Sequence, residues 1–113
     1  MITIYHNATC SKSLGCLQNL ESEGLELHIV RYLDFPLTKT EIESLLKKLG
    51  IKPIELVRQK EEIWINNFGG KTLTDGKIID VLVQHPELIE RPIVVNGDKA
   101  VIARPFERIH EIL

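Results

Sequence analysis

Cys10 is the side chain whose surroundings in this sequence best suit covalent chemistry. It lies in a polar stretch, His6–Ser13, that directly follows the apolar run Ile2–Tyr5 and leads into a helical pattern. A cysteine between a strand and a helix lies beside free backbone N–H groups and the positive end of the helix. Both favour the thiolate, which is the nucleophilic form of cysteine. We therefore interpret Cys10 as a nucleophile placed on an anion-binding site.

Four neighbours of Cys10 are candidates for supporting roles. His6 and Lys12 are close enough in sequence to add charge or a hydrogen bond, and Ser11 and Ser13 could bind the thiolate or the substrate. His6 could orient the loop, but it fits a purely structural role equally well. The competing interpretation of Cys10 is a buried structural cysteine, and the polar residues around it favour reactivity instead.

The second cysteine is predicted to be structural. At about 100° per residue, four side chains fall within an arc of roughly 160° on the first helix: Leu14, Cys16, Leu17 and Leu20. This arc predicts that Cys16 faces the core as a small buried hydrophobe. Six helical residues rise about 9 Å, whereas bridged Cα atoms lie within roughly 7 Å. We therefore expect no disulfide between the two cysteines.

Composition excludes several classes of protein. The 113 residues are 43% hydrophobic, which suits one domain with its own core, and the formal charge of -2 gives no general attraction to nucleic acid or anionic membranes. No segment reaches transmembrane length, and we expect no signal peptide, because Ile2–Tyr5 reads as a strand without a charged region before it. Two cysteines in such a chain indicate a reducing, cytoplasmic location. The four histidines have no zinc-like spacing, so we expect no metal site.

The elements that must position Cys10 begin with a strand-helix-strand unit. Ile2–Tyr5 and Leu27–Tyr32 read as strands, and Gly24 ends the helix between them. Such a unit predicts parallel pairing through a right-handed crossover.

Helices are predicted for the middle of the chain. Thr38 and Glu41 form a capping box at the start of one helix. Pro53 suits the first turn of a short helix that ends near Arg58, and Asp75–Gln84 reads as another helix.

The last part of the chain carries the clearest strand signal. Ile93–Val95 and Lys99–Ile102 flank Asn96-Gly97, a strong hairpin cue, and Pro105 starts a closing helix. The order βαβ, inserted helices, ββα predicts one α/β domain over 1–113, with a four-stranded mixed sheet flanked by helices.

Three of the five arginines lie at boundaries between these elements. Arg58 ends the short helix, Arg91 precedes Pro92, and Arg104 precedes Pro105. A single arginine at such a position is usually a solvated surface charge. Three of them favour a shared site, because guanidinium groups stay charged and offer paired donors to tetrahedral oxyanions.

Taken together, this pattern resembles the small bacterial arsenate reductase family that works with glutathione and glutaredoxin, on a thioredoxin-like fold. The resemblance spans nearly the whole chain. Each motif is short, but their order and spacing together are specific: His6-Asn7 with Cys10–Ser13, Leu56–Lys60, His85-Pro86, Arg91–Val95 and Arg104-Pro105.

The resemblance implies a reaction and a set of roles. Cys10 would attack arsenate, while Arg58, Arg91 and Arg104 would hold the oxyanion. Glutathione and glutaredoxin would supply the electrons for arsenite formation, with no bound cofactor. The expected protein is a cytoplasmic monomer of arsenic resistance, without nucleic-acid or membrane partners. The Arg91–Pro92 peptide is expected to be cis.

Two departures from the family keep other functions open. The family usually has proline at the position of Ala8 and often arginine at that of Leu14. One alternative is a related thiol-dependent reductase of another small or glutathione-linked substrate. A second is a regulatory module resembling the Spx transcription regulators, although these typically carry Cys-x-x-Cys where this chain has Cys10 and Ser13. A third is a thioredoxin-like scaffold without activity.

We predict that Cys10 titrates below the usual cysteine pKa, because N–H donors and nearby positive charge stabilise its thiolate. Alkylation followed against pH should show an inflection for Cys10 well below about 8.5, with Cys16 reacting slowly. An inflection near that value would mean that the loop does not activate the thiol.

Overall fold

The computed structural model describes residues 2–7 and 10–113, with the side chain of Lys12 left out. These residues divide into two compact units. The first unit consists of the chain up to Phe35 together with Arg91–Leu113, and the second is Pro36–Glu90. The single domain expected over 1–113 stays a prediction, and the units are described in turn.

The first unit is built on the predicted four-stranded mixed sheet. Its strands are β1 (Ile2–Tyr5), β2 (Leu27–Val30), β3 (Ile93–Asn96) and β4 (Lys99–Ile102). They lie in the order β2-β1-β3-β4, with β1 parallel to β2 and the other pairs antiparallel. The central strands β1 and β3 are apolar and mostly buried, as expected where strands are covered by other elements.

Helix α1 (Ser11–Ser22) connects β1 to β2. Cys16 and Leu20 pack with Ile4 and Val94 in the core of this unit. Gly24 follows the helix with φ +73°, in the left-handed conformation that glycine adopts most easily. The first helix therefore ends as predicted.

The predicted buried face of α1 is wrong at one residue. Leu14 is 41% exposed, whereas Ser13 is fully buried. Ser13 lies about 60° from Cys16 around the helix and Leu14 about 160° from it, so the core-facing arc is centred nearer Ser13. The hydrophobic pattern therefore extends the predicted apolar face to Leu14, which the structure leaves exposed.

Strand β2 is shorter than predicted. The prediction extended it to Tyr32, but it ends at Val30 because the Arg31 carbonyl accepts hydrogen bonds from the N–H groups of Asp34 and Phe35. This turn leaves Tyr32 buried but outside the sheet.

The loop of the hairpin lies one residue further along the chain than the Asn96-Gly97 motif predicts. Asn96 pairs with Lys99 inside the sheet, so the two-residue loop is Gly97-Asp98 rather than Asn96-Gly97. Gly97 has φ +66° at the first loop position, where a two-residue hairpin often requires glycine. The closing helix is a 3-10 helix over Phe106–Glu111.

The second unit is helical. It contains α2 (Lys39–Leu49), α3 (Glu62–Asn67) and α4 (Asp75–Gln84), with short 3-10 turns at Pro53–Leu56 and Pro86–Leu88. The capping box of α2 is confirmed, since Thr38 accepts from the Glu41 N–H and the Glu41 carboxylate accepts from the Thr38 N–H.

None of the helices within 2–7 and 10–113 has the length and apolar character that crossing a bilayer requires.

Candidate functional site

The register of the sheet brings four strand ends to one edge of the first unit. Tyr5 of β1 pairs with Val30 of β2 and with Ile93 of β3, and Ile93 pairs with Ile102 of β4. We call this edge, defined by those four residues, the site edge. The segments that continue from it carry Cys10, Arg31, Arg91 and Arg104.

Cys10 is the N-cap residue of α1. Its N–H donates to the Asn7 carbonyl at 3.0 Å, and its own carbonyl accepts from the Leu14 N–H at 3.0 Å. Its φ and ψ, -99° and 120°, are extended rather than helical, and the first turn of α1 has no acidic residue. Cys10 is half-buried. It therefore lies at the positive end of the helix dipole, and the first turn contributes no carboxylate that would reduce this positive potential.

Ser13 holds the start of the Cys10 loop. Its Oγ lies 2.7 Å from His6 Nδ1 and accepts a hydrogen bond of 3.1 Å from the Asn7 N–H. All three residues are buried. Sequence reasoning considered Ser13 for the thiolate or substrate and did not single out Asn7. The structure shows Ser13 joining the loop to α1.

The pKa of His6 is lowered, first by burial and then by the positive charge of Arg31. A neutral imidazole has one N–H and one acceptor nitrogen. The Ser13 oxygen has two lone pairs, so its contact with His6 Nδ1 fits both neutral tautomers: the Ser13 O–H donates to an unprotonated Nδ1, or a protonated Nδ1 donates to Ser13 Oγ.

Arg31 is a neighbour of His6 that lies outside the three boundary arginines. The sequence places Arg31 and Arg108 away from the proposed site, but the positive charge of Arg31 contributes, after burial, to the lowered pKa of His6. The available signal was topological, since the ends of parallel strands lie at the same edge of a sheet and Arg31 follows β2 as His6 follows β1. Arg108 is exposed, pairs with Glu111 at 3.2 Å and donates to the Ile102 carbonyl at 3.4 Å, and it serves as the control arginine because its charge already faces a carboxylate.

Arg91 lies just before β3 and Arg104 just after β4, so both lie in segments that adjoin the site edge. The Ala103 N–H donates to the Pro92 carbonyl at 2.9 Å, which joins the two segments. The Arg91–Pro92 peptide is cis, as predicted, and the Arg104–Pro105 peptide is cis as well. Arg91 Nε is buried and has no hydrogen-bond partner within the described part of the chain.

Arg58 belongs to the second unit. Its N–H donates to the Leu88 carbonyl at 2.7 Å, and Val57 pairs with Ile89 in an antiparallel bridge. Its guanidinium Nη1 lies 2.8 Å from Glu61 Oε1. The role of Arg58 in binding the oxyanion together with Arg91 and Arg104 therefore stays a prediction.

Three further residues near Cys10 in the sequence add little to the description of the site. Ser11 is exposed at the first position of α1. Ala8, where the chain departs from the family pattern, lies outside the described residues, as does the side chain of Lys12 whose charge was expected near Cys10.

Cys16 has the environment predicted for a structural cysteine. It is 3% exposed, and burial raises the pKa of its thiol to about 11. Both cysteines are free. At neutral pH Cys16 is thus almost entirely protonated and does not compete with Cys10 as a nucleophile.

Over residues 2–7 and 10–113, no three His, Cys, Asp or Glu side chains are grouped so that they could hold a metal ion. The site edge instead combines a cysteine at a helix N-terminus with two guanidinium-bearing segments. Such a combination suits attack on an electrophile that carries anionic oxygens.

Replacing His6 by asparagine tests its protonation. Because the folded pKa is lowered, the unfolded chain binds the proton more strongly, so His6 should reduce stability as the pH falls below about 6.5. Urea denaturation of His6→Asn should therefore show a smaller stability loss between neutral and mildly acidic pH than wild type. His110→Asn, at an exposed histidine, is the control, and equal pH slopes for wild type and His6→Asn would contradict the assignment.

Comparison with known proteins identifies relatives along the whole chain. The ArsC family model matches residues 5–112. The chain is 41% identical to an arsenate reductase of Haemophilus influenzae, covering 99% of this chain and 98% of the relative. It is also 41% identical to the "Uncharacterized protein YfgD" of Escherichia coli, covering 99% and 96%.

The solved structure of an arsenate reductase from Vibrio cholerae matches with a TM-score of 0.93 at 38% identity, covering 99% of this chain and 97% of that one. The predicted thioredoxin-like fold is thus confirmed. With the family model matching 5–112 and these relatives spanning its length, the chain belongs to the ArsC family.

Proposed function

We propose that this protein is an oxidoreductase that reduces arsenate to arsenite, with Cys10 as the nucleophile. One observation carries the proposal: Cys10 caps α1 at the same sheet edge to which Arg91 and Arg104 are attached. The arsenate reductase of Haemophilus influenzae, similar over its full length, supports arsenate as the substrate.

The proposed reaction begins with the Cys10 thiolate attacking arsenic. A sulfur–arsenic bond forms, and one arsenate oxygen leaves as water after protonation. Two thiols, one from glutathione and one from glutaredoxin, are then oxidised to a mixed disulfide. Their two electrons convert As(V) to As(III), and a second oxygen leaves as water. Water finally replaces the Cys10 sulfur, which releases arsenite and restores the thiol.

The residues of the site would lower the cost of bringing two negative groups together. Guanidinium groups remain charged and donate paired hydrogen bonds to tetrahedral oxyanions. Arg91 is suited to this role because its buried Nε has no acceptor within the described residues. We assign the same role to Arg104, and to Arg58 on the family resemblance. The His6–Ser13 hydrogen bond would keep the loop before Cys10 in place.

The remaining parts of the proposal concern the setting of the reaction. The proposed donors, glutathione and glutaredoxin, belong to a reducing compartment, so we place the reaction in the cytoplasm. We propose that the protein acts as a monomer. We also propose that it needs no bound cofactor, because the electrons come from the two external thiols.

Steady-state reduction of arsenate tests the proposed function. Wild-type protein with glutathione and glutaredoxin should produce arsenite, and Cys10→Ser should lose activity while its circular dichroism spectrum stays unchanged. Omitting glutathione, or exchanging glutaredoxin for thioredoxin, tests the electron donor separately. Activity that survives Cys10→Ser would refute the mechanism. Reduction of another small thiol-reactive substrate, without arsenate reduction, would favour the alternative reductase.

Alanine substitutions test the oxyanion site. Charge-assisted hydrogen bonds contribute about 1.5–3 kcal/mol each, so Arg91→Ala, Arg104→Ala and Arg58→Ala should each lower kcat/KM for arsenate roughly tenfold to a hundredfold. Lysine at these positions should restore only part of the loss, because it lacks the planar paired donors.

The control for this series is Arg108→Ala, which removes an exposed arginine paired with Glu111. Its kcat/KM should match that of wild type. Equal losses at all four positions would indicate general surface electrostatics. Double substitutions should lose less than the sum of the single effects, because the arginines share one ligand.

A further inference from the structure

A groove opens in the first unit between α1 and the segment that follows β4. Its volume is about 580 Å³, within the range of several hundred Å³ typical of small-molecule sites. Gly15 and Asn19 of α1 lie on one side, and Arg104 and Phe106 on the other. The groove has no place in the reaction at arsenic described above, apart from its use of Arg104.

Gly15 is the residue of α1 that leaves this groove open. Glycine inside a helix destabilises it relative to alanine, so its presence calls for a reason. Gly15 does not have a positive φ, and a Cβ at this position would meet no atom within 4 Å. Neither backbone conformation nor packing therefore requires glycine. A larger side chain would instead enter the groove.

The groove is connected to the Cys10 end of α1 in two ways. Ser11, Gly15 and Asn19 follow one another at four-residue intervals, so they form a row along one side of the helix. This row leads from the first turn, capped by Cys10, into the groove. On the other side, Arg104 both continues from the site edge and lines the groove.

The charge of the groove favours an anionic ligand. Among its described lining residues, Arg104 is the only charged one, and it forms no ion pair with any described residue. The Asn19 amide can both donate to and accept from peptide groups. Phe106 is half-buried and adds apolar surface.

We propose that this groove binds glutathione and directs its thiol toward Cys10, an inference that rests on the proposed function. Glutathione is a tripeptide with a net negative charge at neutral pH. Three extended residues span about 10 Å, and Gly15 lies five residues, or about 7.5 Å of helical rise, beyond Cys10. With one end of the tripeptide at Gly15, its central residue lies about 5 Å nearer the helix N-terminus, and its side chain extends the thiol further toward Cys10.

Titration with S-methylglutathione tests binding without any redox step, because its sulfur is blocked. In nitrogen-15 NMR spectra of the wild-type protein, the backbone amides of Gly15, Asn19 and Phe106 should shift in a saturable manner. Absence of saturable shifts at these amides, or shifts confined to other parts of the chain, would overturn the proposal. This measurement needs no substitution and so does not depend on the folding of a variant.

Filling the groove provides a matched pair of variants. Gly15→Leu should raise the Kd for S-methylglutathione at least about tenfold, and Gly15→Ala should raise it less. Gly76→Leu is the control, because Gly76 is also helical and also has open space around its Cβ position, but is exposed and lies in α4 of the other unit. An unchanged Kd in Gly15→Leu would refute the groove as the glutathione site.

Activity measurements separate this inference from the proposed function. If Gly15→Leu raises KM for glutathione while KM for arsenate stays constant, both are supported. If arsenate is reduced in a Cys10-dependent manner but Gly15→Leu leaves KM for glutathione unchanged, the groove assignment fails alone. If S-methylglutathione shifts the groove amides but no arsenate is reduced, the arsenate reaction fails and glutathione binding stands.

Discussion

Strand β1 is hydrogen-bonded along both of its edges, and the arrangement of the first unit follows from that constraint. On one side it runs parallel to β2, and on the other it runs antiparallel to β3. A strand paired on both edges cannot shift its register by one residue without moving every side chain to the opposite face. The position of Tyr5 opposite Val30 and Ile93 therefore determines where the segments after β1 and before β3 meet.

The electrostatics of the site edge depend on this register. The N-terminus of α1 brings positive potential to Cys10, two arginine-bearing segments adjoin the same edge, and burial lowers the pKa of His6. His6 Nδ1 and Ser13 Oγ are hydrogen-bonded at 2.7 Å, which joins His6 to the first turn of α1. The positive potential at Cys10 thus comes from the helix backbone, and the observed contact of His6 in this region is its hydrogen bond to Ser13.

Local signals made much of this fold predictable. The capping box of α2, the bounds of α4 and the left-handed Gly24 depend on residues close together in sequence, and each was found where expected. The prediction failed where packing decided the outcome. Ser13 faces the core because its hydroxyl finds His6 and Asn7 there, which no hydrophobicity pattern encodes. The effect of Arg31 on His6 likewise depends on the pairing of two strands.

The first unit is assembled from both ends of the described chain, with Pro36–Glu90 between them. During synthesis, β1, α1 and β2 leave the ribosome well before β3, so the second edge of β1 has no partner during that interval. Open strand edges favour unwanted association, and pairing over long sequence separation is slow. Completion of the site edge therefore has to wait until β3 and Arg104 have emerged, after the whole of Pro36–Glu90 has been synthesised.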